Sequence, residues 1–144
     1  MTNDEVVADY RDQVAQAVIK VQVDSLDPIV DSLILHHGLG GLGQILASSW
    51  AIQAAKAWQE IQVAMAVGLW RIPRAAVAEA MGLAGSTNFK TQFPQLEEIM
   101  ETLRREMNTG QKVTLIVRGF TFTVGPVGYA YSDSHAGERI SAPA

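Results

Sequence analysis

RIPRAAVAEAMGLAGSTNFKTQF, residues 71–93, is the stretch on which the reading of this chain turns. Pro73 suits a first helical position, where a missing N–H costs nothing, and Val77, Ala80 and Met81 recur at helical spacing as far as the break Gly82-Leu83-Ala84-Gly85. That pattern predicts one short helix and a tight turn. Ser86, Thr87 and Asn88 carry capping side chains, and Phe89 and Phe93 stand four apart, so a second short helix would bury both rings and turn its polar side to solvent. Small Ala78 lets the helices approach, Gly82 supplies a positive φ, and Leu83 plugs the corner between them.

Val77, Ala78, Met81, Gly82 and Leu83 match in type and spacing the pattern of the helix-turn-helix superfamily of DNA-binding proteins, which this segment resembles over about a sixth of the chain. The second helix departs from the commonest form, with Asn88 and Thr91 where aliphatic core residues are usual and Phe89 and Phe93 falling one and two places later. The spacing from Gly82-Leu83 to Phe89 and Phe93 resembles the second motif of AraC-type regulators, without the duplicated first motif. What carries over is the superfamily. It implies a recognition helix at residues 86–93 whose Ser86, Thr87, Asn88, Lys90, Thr91 and Gln92 meet double-stranded DNA: hydroxyls and Lys90 at phosphates, Asn88 or Gln92 at an adenine edge. Arg71, Arg74, Arg104, Lys112 and Arg118 would then flank it at phosphates.

Charge is segregated along the chain. The formal net charge is −4, but residues 1–31 carry seven acids against Arg11 and Lys20, giving −5, whereas residues 71–118 carry seven bases against five acids, giving +2. A footprint of +2 is modest for a monomer on DNA, and duplication by dimerisation would strengthen it. With 144 residues and 48% hydrophobic composition the chain can bury a core, and without cysteine it has neither a disulfide framework nor a thiolate zinc site. The N-terminus MTNDEVVADY is acidic and lacks the basic-then-apolar design of a signal peptide, so the cytoplasm is the expected compartment.

Upstream of the motif, Val7, Tyr10, Val14, Val18 and Val21 form one stripe of an amphipathic helix over residues 3–23. Asp27-Pro28 reads as an N-cap and first helical residue of a shorter helix that His36 and His37 close. Gly38-Leu39-Gly40-Gly41-Leu42-Gly43 satisfies the G-x-G-x-x-G dinucleotide pattern, but no strand precedes it and no second buried strand follows. It therefore reads as a glycine hinge or a close crossing of two backbones. From Leu42 to Val67 the pattern is helical, and between Ser32 and Trp70 the only charges are Lys56 and Glu60. A helix so apolar must be buried. Its glycines, histidines, serines and glutamines make poor material for a membrane span, so a central core helix is expected, within one chain or shared with a second subunit. Trp50, Trp58 and Trp70 are assigned to core or subunit contact. His36 and His37 point about 100° apart in a helix and cannot easily share a metal.

Downstream, Pro94 starts a helix with Leu96, Ile99, Met100 and Leu103 on one face and Glu97, Glu98, Glu101, Arg104 and Arg105 on the other, and Asn108-Thr109-Gly110 ends it. Residues 113–124 then switch to period two. With Arg118-Gly119 as a two-residue turn, Val117 faces Phe120, Leu115 faces Phe122 and Val113 faces Val124. Arginine is disfavoured at the positive φ of a type I′ turn, which leaves a longer bulged loop as the alternative. A hairpin after a helix-turn-helix suits a winged helix, with Arg118 at the wing tip.

The sequence thus predicts a mainly α fold: a helical domain with a central helix-turn-helix and one C-terminal β-hairpin, a winged-helix-like variant included. Residues 1–37 would form an N-terminal, oligomerising region, 42–125 the core, and 126–144 a flexible tail. The expected function is a small transcriptional regulator, homodimeric or higher, bound to duplex DNA and to no membrane. No catalytic, metal or cofactor constellation stands out. The competing reading is an oligomeric structural or adaptor protein in which the tri-helical motif only packs.

Overall fold

The computed structural model describes residues 2–83, 89–107 and 112–125. Six helices and two strands follow one another among them: α1 (Asn3–Val21), α2 (Asp27–His37), α3 (Gly41–Gly68), α4 (Arg74–Ala80), α5 (Phe89–Gln92), α6 (Leu96–Met107), β1 (Val113–Val117) and β2 (Phe120–Val124). The fold is mainly α with one antiparallel hairpin, as the hydrophobic periodicities predict. Ala84–Asn88, the expected helix end at Asn108-Thr109-Gly110 and the tail at 126–144 lie outside the described residues. The chain divides into two compact units, Met1–Ile52 and Gln53–Ala144. That division falls within α3 rather than at the glycine run, because α3 starts at Gly41 and continues unbroken past Ile52.

In the first unit Thr2 caps α1 reciprocally with Glu5: the Glu5 N–H donates to Thr2 Oγ1 at 3.2 Å and the Thr2 N–H to Glu5 Oε2 at 2.8 Å. The expected break at Asp27 is replaced by a π-helical turn, Gln22–Leu26, which joins α1 to α2 without leaving helical backbone. Asp27 is not an N-cap there; its carboxylate accepts from Gln22 Nε2 at 2.9 Å. The physical reason is Pro28, which has no N–H for the α ladder and crowds the preceding turn, so a wider turn accommodates it. Gly38 then ends α2 in the left-handed conformation, φ 63°, behind His36 and His37. A Cβ at Gly43 would lie 3.4 Å from Ile34 Cγ1 and 3.5 Å from Leu33 Cβ, so this part of the glycine run is where α3 and α2 approach closely. Among the described residues, the buried apolar side chains of this unit are Val30 and Ala47.

The second unit holds the core. Ala57, Ile61, Ala64 and Met65 of α3 meet Ala78 of α4, the rings of Phe89 and Phe93, and Leu96, Ile99, Met100 and Leu103 of α6. Val113, Leu115, Val117 and Val124 close that cluster from the hairpin. The strands pair in the register expected, Val113 with Val124, Leu115 with Phe122 and Val117 with Phe120. The two-residue turn is real: φ is 52° at Arg118 and 83° at Gly119, the two positive values a type I′ turn requires. Pro73 is one place earlier than expected, capping α4 rather than opening it, and Pro94 lies in a turn just before α6. Trp58 packs against Phe122 with ring centroids 5.6 Å apart, while Trp50 and Trp70 keep about half their surface exposed.

Candidate functional site

The second unit also contains a polar network that begins with Glu60. This residue is the single acid of α3 and is fully buried, which physical chemistry permits only with partners for both carboxylate oxygens. Oε2 accepts the Gln95 N–H at 2.7 Å and Oε1 accepts Arg118 Nε at 3.0 Å. Gln95 ties in the hairpin as well, its Oε1 accepting the Arg118 N–H at 2.9 Å and its Nε2 donating to the Ile116 carbonyl at 3.2 Å. Arg118 Nη2 donates to the Gln92 carbonyl, satisfying one of the acceptors that the end of α5 leaves free. Helix α3, the end of α5, the turn before α6 and the hairpin are thereby stitched together. Arg118 holds its positive φ because three of these bonds depend on it.

Beside this network opens a cleft of about 450 Å³ lined by Lys56, Gln59, Thr91, Gln92, Phe93, Pro94 and Arg118. Lys56 lies one helical turn before Glu60 and has no ion-pair or hydrogen-bond partner among the described residues. Arg118 directs Nε at Glu60 and its side chain remains 31% exposed, so guanidinium N–H groups are left to face a ligand. A hydroxyl, two primary amides and two cations around one opening suit an oxyanion.

The candidate residues are placed unevenly. Thr91, Gln92 and Arg118 come together at the cleft, and Lys90 is exposed next to them on α5, whose Phe89 is buried against Phe93 edge-to-face at 5.6 Å. Arg74 is engaged elsewhere: it pairs with Glu97 at 2.8 Å and lies over the Phe89 ring with Cζ 6.0 Å from the centroid. Arg71 is exposed in the link between α3 and α4 with φ 55°. Ser86, Thr87 and Asn88 lie outside the described residues. Instead of extending from a wing tip, the Arg118 side chain folds back onto Glu60. Lys56 and Gln59 join the site only through the fold, since the sequence pattern assigns them to the apolar α3 helix. Their signal is the Lys56/Glu60 pair, the only charges in an otherwise uncharged helix, spaced so that both occupy one face.

Among the described residues no group of histidines, aspartates and glutamates could hold a metal ion, and no helix is long and apolar enough to cross a membrane. Comparison with protein-family models, with curated proteins and with solved structures found no match to this chain.

Proposed function

We propose that this chain is a sequence-specific DNA-binding protein, a small cytoplasmic transcriptional regulator of the helix-turn-helix kind that works as a homo-oligomer. The observation that carries the reading is the convergence of Thr91, Gln92, Lys56 and Arg118 on one open cleft beside the exposed side of α5. A backbone phosphate seated there meets the Lys56 ammonium and a guanidinium already oriented by a buried carboxylate, which positions a duplex without reading it. Lys90 adds a further phosphate contact, and Gln92, with Asn88 before it, offers an amide for an adenine edge. Two copies double a basic footprint that is small in one.

A selection from random duplexes with the full chain is the first test, followed by salt titrations on the best site. Lys90→Ala and Lys56→Ala should weaken binding to all duplexes and flatten the salt slope, whereas Gln92→Ala should reduce preference for the best site by roughly 1–3 kcal/mol. No enriched sequence, together with low-salt affinity no better than that of a matched acidic protein, would overturn the reading. The alternative is then an oligomeric adaptor in which residues 71–93 serve packing. It is favoured by Arg74 and Arg118 making ion pairs within the chain and by the net charge of −4.

A further inference from the structure

The first unit leaves a continuous apolar stripe of α1 uncovered. In α1 no described residue is buried, and the stripe Val7, Tyr10, Val14, Val18 and Val21 is between 54% and 65% exposed. A soluble helix does not usually hold five large apolar groups in water along one face, and its unit buries too little of its own to compensate. The spacing of the stripe is symmetric: Val7 and Val21 lie seven residues either side of Val14, and Tyr10 and Val18 lie four either side. A helix with such a stripe is complementary to itself when turned end for end.

Charge selects the same arrangement. Residues 4–12 carry Asp4, Glu5, Asp9 and Asp12 against Arg11, a net −3, while residues 16–24, which face them across an antiparallel pair centred on Val14, carry Lys20 and Asp24, a net of 0. A parallel pair would set net −3 on net −3, whereas an antiparallel pair sets each acidic segment against a neutral one that contains Lys20, so it avoids that repulsion. Closing the stripe on a second copy removes roughly 1,000 Å² of surface, counted over both helices, about the minimum for a biological interface and in the size class of weak, reversible association.

We propose that α1 docks antiparallel on α1 of a second copy of this chain, with a twofold axis through Val14. The interface is isologous, so Val14 meets its own equivalent and Val7 meets Val21 of the other copy. It deepens the homo-oligomer part of the proposed function and needs no DNA.

The chain contains no cysteine, so single introduced thiols report geometry without background. Sedimentation of the full chain at tens of micromolar should give a dimer, and Val14→Asp should weaken it about tenfold or more, as expected for a central contact. Under mild oxidation Val14→Cys should cross-link to itself. Val7→Cys alone and Val21→Cys alone should remain uncross-linked, and an equimolar mixture of the two should form the mixed disulfide. Self-linking of Val7→Cys, or a dimer indifferent to Val14→Asp, overturns this interface while leaving a homo-oligomer standing. A chain that stays monomeric overturns both, whatever the duplex selection returns.

Discussion

Glu60 and Arg118 are the residues whose environments are most demanding. A carboxylate with no exposed surface survives folding only because Arg118 and the Gln95 N–H meet its two oxygens. Arg118→Ala should therefore destabilise the protein by about 2–3 kcal/mol, less than a wholly buried pair because its side chain is a third exposed to water. Combining Arg118→Ala with Glu60→Gln should cost clearly less than the sum of the single changes in urea melts, since the second change removes the charge that the first leaves unpaired. Strict additivity would show that the two do not interact. At Gly82, φ is 73° and a Cβ would meet nothing within 4 Å, so Gly82→Val should lose about 1–2 kcal/mol through backbone strain alone. Leu83→Ala should lose a similar amount by unpacking a half-buried side chain. Unchanged thermal midpoints in both variants would refute the corner assigned to them.

At the level of elements, the hairpin is held by alternation. Val117 is fully buried whereas its neighbour Ile116 is 66% exposed, so the two strand faces have opposite solvents. Ile116→Thr should change stability by less than about 0.5 kcal/mol, and Val117→Thr should cost about 1–2 kcal/mol for burying a hydroxyl in place of a methyl. Equal effects in chemical denaturation would mean that the register is shifted. Helix α5 has only four described residues and cannot persist by propensity; Phe89 and Phe93 anchor it to the core and Arg118 ties down its last carbonyl. Its exposed residues are thus presented by a packed support, which a binding surface requires.

For the molecule as a whole, the two units differ in how much apolar surface they remove from water. Amides of Ile61–Met65, α6 and the strands should show the slowest hydrogen exchange, because they belong to the continuous core. Amides of α1 should exchange fast at low protein concentration and slow as concentration rises, since their protection depends on a second copy. Concentration-independent protection of α1 would contradict a dimer built on that helix.

The sequence by itself determined the class of the fold, the position of most helices and the register of the hairpin. Those features are local: a 3.6-residue or two-residue period, a positive-φ glycine and a proline act over a turn or a strand pair. Even so, neighbouring context shifted boundaries, with Pro73 capping α4 instead of opening it and Pro28 drawn into a π turn that joins α1 and α2. Tertiary structure alone decided that Glu60, one charge in an apolar helix, meets an arginine 58 residues away, and that this arginine turns inward at a strained turn position. No local pattern encodes such a contact. It follows from the need to satisfy a buried carboxylate with whichever donor the packed helices and hairpin bring within reach.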